Sequence, residues 1–201
     1  QLTQAESIWS YSGVRSLCDD ESNNPSAITR DYTLALLQQR PEDAVLLSVF
    51  GGKLTTYRKL AESTLQHLQS FLPKMQPAWT ATALLPGAEQ LISVEALAEQ
   101  IVQKLNGVSD ELALRWSHAY GTRVWNFLGH STAVHELGQH FAHGLYAQEV
   151  DYLVAQEWAV KSTDILWRRS KLGLKFTPSE IHILSEYLLK LHQRRAMFEV
   201  A

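Results

Sequence analysis

A single cysteine, Cys18, is all that the 201 residues contain, so no internal disulfide can form and the fold must rest on burial and hydrogen bonding. That count agrees with a reducing compartment. Long apolar runs are missing too. The longest, Val45-Leu46-Leu47 with Val49-Phe50, falls far short of the ~20 residues of a membrane-spanning helix. There is no excess of positive charge: 18 Lys and Arg stand against 21 Asp and Glu, for a formal net charge of -3, which argues against a nucleic-acid partner. Neither a Gly-x-Gly-x-x-Gly fingerprint nor a Gly-x-x-x-x-Gly-Lys-Ser/Thr loop occurs, so the two common phosphate cradles are excluded. The chain opens on Gln1 without a basic segment and apolar core, and it reads as a piece cut from a longer protein.

What is there is an ordinary globular composition, 45% hydrophobic and 19% charged, arranged in two regions. Residues 1–72 mix strand and turn signals. Ser7 to Ser12 alternates apolar and polar residues like a half-buried strand, and Asp19 to Ser26 is a loop of turn formers. Ile28 to Leu36 and Val45 to Phe50 read as strands joined by a hairpin loop at Gln38 to Asp43, the second strand apolar enough to be buried. After Gly51-Gly52, Leu54, Tyr57, Leu60, Ala61, Leu65 and Leu68 recur at helical spacing. Residues 73–92, with Pro73, Pro77 and Pro86, form a linker or surface strap.

Residues 93–201 are helical in pattern throughout. Ser93 and Ser109-Asp110 cap two helices that stop at Asn106-Gly107 and Gly121. A third helix runs from Thr122 to Gly129, a fourth from Tyr146 to Val160, and a fifth from Thr163-Asp164 to Gly173. Thr177-Pro178-Ser179-Glu180 opens the last with a capping box. The expected fold class is therefore α+β, mostly α: a partial antiparallel or mixed sheet with one helix, then an all-helical C-terminal domain.

The segment Phe50-Gly51-Gly52-Lys53-Leu54-Thr55-Thr56-Tyr57-Arg58 carries the strongest chemical signal. A strand that runs through two glycines into a helix offers backbone N–H groups to an anion or an electron-rich carbonyl, and Lys53 adds a full charge there. The same glycines also suit a plain tight turn, and spacing does not choose between the two. Arg15, after Ser12-Gly13-Val14, and Arg30, before Asp31-Tyr32, can each clamp a phosphate or simply pair with nearby acids. His135 and His140 are five apart, which is wrong for a zincin pair, so the histidines read as structural and no metal ligand is assigned. Glu136 and His140, four apart, can form a helical pair. Trp116, Trp125, Trp158 and Trp167 fall on apolar helix faces and read as core, while Lys161, Arg168, Arg169, Lys171 and Lys175 read as a solvated basic face.

Taken in order, Ser12-Gly13-Val14-Arg15, Cys18-Asp19-Asp20-Glu21, Ile28-Thr29-Arg30-Asp31-Tyr32, Gly51 to Arg58 and Leu166-Trp167-Arg168-Arg169-Ser170-Lys171-Leu172-Gly173 closely resemble the aerobic, membrane-associated, FAD-dependent glycerol-3-phosphate dehydrogenases. The resemblance implies that residues 1–72 are the end of a flavin and substrate domain. It places Gly13, Gly51, Gly52, Lys53, Leu54, Thr55 and Thr56 against FAD, with Arg15, Arg30 and Lys53 toward the substrate. Hydride would pass from C2 of glycerol 3-phosphate to the flavin, giving dihydroxyacetone phosphate, and electrons would go on to quinone. The FAD pyrophosphate site and the general base are expected upstream, so the chain alone should hold no FAD and should not turn over. The resemblance further implies a peripheral protein on the cytoplasmic face of the inner membrane, attached through the missing part, with a homodimer among the possible assemblies. The competing reading is a helical interaction or oligomerisation module of a related flavin oxidoreductase.

Overall fold

The computed structural model describes residues 3–14 and 32–199, which divide into two compact units, Gln1–Ala83 and Leu84–Ala201. In the first unit, β1 (Tyr32–Leu37) and β2 (Leu46–Gly51) form an antiparallel hairpin in the register Tyr32↔Gly51 to Leu37↔Leu46. The Gln38 side-chain amide closes the turn by donating to the carbonyls of Pro41 (3.0 Å) and Asp43 (2.9 Å). A 3-10 turn, Leu54–Thr56, leads into α1 (Tyr57–His67). The strap beyond α1 is tied back to it, with the Thr80 hydroxyl donating to Glu62 Oε1 at 2.5 Å.

Two expectations for this unit are corrected. Ser7 to Ser12 is not a half-buried strand; it is exposed and belongs to neither sheet among the described residues. Nor is β2 buried: Leu46, Val49 and Phe50 are 58%, 44% and 51% exposed. None of the described residues of the unit is buried, since two strands and one helix have too little surface to cover each other's apolar faces.

The second unit has a continuous core. It contains α2 (Val94–Lys104), α3 (Asp110–Tyr120), α4 (Val124–Leu128), α5 (Ala147–Gln156) and α6 (Pro178–Glu199). The expected caps form: Ser93 Oγ accepts from the N–H of Ala96 (3.0 Å) and Ser109 Oγ from that of Leu112 (3.2 Å). Glu180 closes its capping box on the N–H (2.7 Å) and hydroxyl (2.9 Å) of Thr177, bonds that hold its carboxyl below the usual range. Ile101, Trp116, Val124, Leu153, Ile165 and Leu184 from six segments meet with no exposed surface. The leading segment is stitched to the end of α3 by backbone contact: the N–H of Thr122 donates to Gly87 O at 2.9 Å. A Cβ on Gly121 would lie 2.0 Å from that carbonyl oxygen, so only glycine fits.

This unit departs from an all-helical reading at three places. A small antiparallel hairpin pairs β3 (His140–Ala142) with β4 (Leu145–Tyr146). The fifth helical segment is a π-helical turn, Asp164–Arg169. Finally, α5 stops at Gln156 rather than Val160, because Trp158 turns left-handed (φ +55°) and the N–H of Ala159 bonds back to Leu153 O at 3.1 Å. Trp158 is consequently 86% exposed and no part of the core, whereas Trp116 is fully buried and Trp125 and Trp167 pack partly against it.

Candidate functional site

At the end of β2, Gly51 and Gly52 take φ of +75° and +107°, which reverses the chain before Lys53 returns to an extended conformation (φ -129°, ψ 143°). A Cβ on Gly52 would press on Leu60 Cδ2 at 3.3 Å. Both the N–H (3.1 Å) and the hydroxyl (3.3 Å) of Thr56 donate to Lys53 O, which closes the 3-10 turn. No acceptor among the described residues meets the N–H groups of Leu54 and Thr55. Two free donors, the positive end of α1 and the exposed Lys53 thus sit together on one open edge. Leu54 beside them is 89% exposed and adds an apolar contact surface. Such an edge can hold a flat group that carries carbonyl oxygens and gains negative charge.

The structure therefore brings together Gly51, Gly52, Lys53, Leu54, Thr55 and Thr56, as their contiguity requires. Gly13 lies in the exposed leading segment, where a Cβ would meet nothing within 4 Å. Arg15 and Arg30 lie outside the described residues. The motif's last residue, Arg58, donates to Glu62 Oε1 (2.9 Å) and to the hydroxyl of Thr80 (3.3 Å).

Of the histidines in this region, His140 and His143 have ring partners, His143 meeting Phe176 at 5.5 Å between centroids. His140 stacks on Tyr146 with ring centroids 4.6 Å apart and accepts the N–H of Gly144 at 3.2 Å. The helical pair expected of Glu136 and His140 is absent: Glu136 accepts instead from the N–H of Thr132 at 2.7 Å, while His140 belongs to β3. No group of three or more potential ligands placed to hold a metal is found among the described residues.

The signature around Arg168-Arg169 is architectural. Ser170 N–H and hydroxyl both reach Ile165 O, at 3.0 and 2.7 Å, closing the π-helical turn, and the Trp167 indole lies on Gly173. Arg168 pairs with Asp164 at 2.7 Å, and Arg169 donates from Nε and Nη2 to Glu157 O, beyond the end of α5. The basic face is thus partly spent on named partners, with Lys175 also 3.7 Å from Glu111.

Sequence reasoning missed one cluster entirely. Glu149, with no exposed surface, accepts from Arg115 Nη1 and Nη2, Trp116 Nε1 and the Tyr120 hydroxyl at 2.7–2.8 Å. Burial and the adjacent carboxylate push the Tyr120 hydroxyl well above its ordinary pKa. Burial opposes the charge on Arg115, but its bonds to Glu149 outweigh that and raise its pKa. The available signal was a glutamate four residues before Leu153 on a buried stripe.

The family described as the C-terminal domain of alpha-glycerophosphate oxidase matches residues 78–187, more than half of the 201. A glycerol-3-phosphate dehydrogenase of Pseudomonas aeruginosa is 56% identical over 201 residues, covering 100% of this chain and 39% of the relative. The aerobic glycerol-3-phosphate dehydrogenase of Escherichia coli is 41% identical over 195 residues, 97% of this chain and 39% of its own length. A D-erythritol 1-phosphate dehydrogenase of Brucella abortus is 39% identical over 181 residues, 90% of this chain and 36% of its own. The chain thus spans about two fifths of the length of these relatives. With residues 78–187 matched across the capped helical unit, the chain belongs to the family of the C-terminal domain of alpha-glycerophosphate oxidase.

Proposed function

We propose that the chain is the C-terminal part of an FAD-dependent glycerol-3-phosphate dehydrogenase and is inactive by itself. The carrying observation is the open edge at Gly51 to Thr56, where free N–H groups and Lys53 meet at a helix start. These residues fit a flavin: the N–H donors and the Lys53 ammonium suit the carbonyl-bearing pyrimidine edge. Bound FAD would supply the acceptor for the hydride leaving C2 of glycerol 3-phosphate, with dihydroxyacetone phosphate as product. Lys53 and the N–H groups of Leu54 and Thr55 stabilise negative charge on their side of the site. Arg15 orients the substrate, and Arg30 holds its phosphate through paired N–H donors. The general base and the pyrophosphate site belong to the rest of the longer protein, as does its peripheral attachment at the cytoplasmic face of the inner membrane. Quinone is the electron acceptor.

Two of the relatives' names specify different phosphorylated polyols. The higher identity, 56% against 39%, favours glycerol 3-phosphate. The test is the full-length protein, assayed for bound FAD and for glycerol 3-phosphate-dependent dye reduction, with Lys53→Ala as the variant. Turnover with glycerol 3-phosphate that drops in Lys53→Ala is the expected result. The self-contained core of the second unit favours a second reading, an interaction module with the first unit as passenger. Unchanged flavin content and turnover in Lys53→Ala would select it.

A further inference from the structure

Within the first unit, a cleft of about 490 Å³ opens between α1 and the segment 75–80 of the strap. Ala61 and Leu65, four apart on one face of α1, form one wall together with Gln69 from the 3-10 turn that follows the helix. The opposite wall is Met75, Pro77, Ala78 and Trp79. The strap turns locally at its start, where the N–H of Met75 donates to Leu72 O at 2.9 Å, and is tied to α1 at Thr80, which donates to Glu62 and accepts from Arg58. Its volume lies in the range of ~300–1,000 Å³ typical of small-molecule sites.

The lining defines the ligand. Glu62 is the one charged group on it, and that carboxylate is already engaged by Thr80, by Arg58 (2.9 Å) and by Lys59 (3.1 Å), which hold its pKa down. With both cations committed, the cleft offers nothing to a phosphate and no free charge to an ammonium. Methionine and tryptophan side chains suit a flat apolar ring. The side-chain amides of Gln66 and Gln69 are exposed and make no hydrogen bond to a described residue, which leaves donors for carbonyl oxygens. We infer that this cleft binds a neutral, flat ring bearing carbonyl oxygens, the chemistry of a quinone. Its place suits an electron acceptor, since Tyr57, which follows the diglycine turn, is four residues from Ala61, about 6 Å of helix rise. The role as electron-acceptor site rests on the dehydrogenase reading; the binding itself does not.

The probe is ubiquinone-1, titrated into the 201-residue chain while Trp79 emission is followed against a Trp79→Phe control. Saturable quenching is expected, at least tenfold weaker in Ala61→Phe, which fills the cleft, and weakened several-fold in Gln66→Ala with Gln69→Ala. Circular dichroism verifies that each variant keeps its helix content, and the amide variant stands in should Ala61→Phe unfold. Quenching that never saturates, or that Ala61→Phe and the amide variant leave unchanged, overturns the inference. Displacement by decanol as effective as by ubiquinone-1 also overturns it, since the cleft would then take any alkyl chain. In the full-length enzyme, Ala61→Phe should lower the ratio of quinone-linked to dye-linked glycerol 3-phosphate oxidation at least tenfold. Absence of dye-linked oxidation in the unaltered enzyme would instead defeat the dehydrogenase reading and leave the binding result standing.

Discussion

Arg115 on α3 lies fork to fork with Glu149 on α5, Nη1 on Oε1 and Nη2 on Oε2, each bond 2.7 Å long. The same guanidinium donates from Nη2 to Gly144 O at 2.9 Å, so one side chain joins two helices and the turn between β3 and β4. A carboxylate with no exposed surface is tolerable here only because four donors surround it.

Glu149→Ala should therefore cost about 3–5 kcal/mol, since it strands the buried Trp116 and Tyr120 donors and the part-buried Arg115 guanidinium. Glu149→Gln should cost less, because its amide oxygen still accepts. Urea unfolding followed by circular dichroism measures both. Equal losses in the two variants would show that the side-chain volume matters and the hydrogen bonds do not.

Trp158 presents the opposite opportunity. It holds the left-handed position after a helix end that glycine usually takes, yet it is 86% exposed and has little packing to lose. Trp158→Gly is expected to stabilise the second unit by about 1 kcal/mol through relief of the left-handed conformation. A lower melting temperature would mean that the indole makes a contact worth more than the strain.

Alkaline pH should destabilise the protein. The Tyr187 hydroxyl, raised to about 12 by burial and by its 2.8 Å bond to Asp151, holds its proton more tightly folded than unfolded. Tyr120 is shifted in the same direction. The folded state binds more protons, so these contributions are complete below pH ~10 and fade as pH rises toward 12. Melting temperatures from pH 8 to 11.5 should fall above pH 10, with a shallower fall in Tyr187→Phe. A flat profile would exclude the linkage.

The second unit should fold alone. Leu84–Ala201 is expected to melt cooperatively with high helix content, and residues 93–201 less stably, because they lack the Gly87 backbone that Thr122 bonds. Residues 1–83, with none of the described ones buried, should show no cooperative melt by themselves. Thermal circular dichroism of the three segments tests the division, and a gradual melt of Leu84–Ala201 would end it.

The 201-residue chain is expected to purify without stoichiometric FAD, because the pyrophosphate site lies in the rest of the longer protein. In that longer protein, Arg15→Ala should lower turnover by a factor of about 30 to 1000 while flavin content stays near normal, as for a charged hydrogen bond worth roughly 2–4 kcal/mol in the transition state. Flavin absorbance and steady-state kinetics decide it. Loss of flavin would make Arg15 a cofactor ligand.

Features made by residues a few positions apart are legible in the amino-acid order alone. Ser93 with Ala96, Ser109 with Leu112, and Thr177 with Glu180 are side chain and backbone within one helical turn, so their spacing specifies the bond. The strand, diglycine turn and helix of residues 46–67 are local in the same sense, and their motif is legible in the residues alone. Tertiary structure decided the rest. Glu149 is buried because Arg115, 34 positions away, is folded over it, and no local pattern carries that. The helix through Trp158 ends early because a chain reversal buries Ala159 and an arginine twelve residues on caps Glu157 O, in the absence of the glycine that announces such an end. Val49 and Phe50 have the composition of a buried strand and lie exposed, because burial belongs to the surfaces that cover a residue and not to the residue.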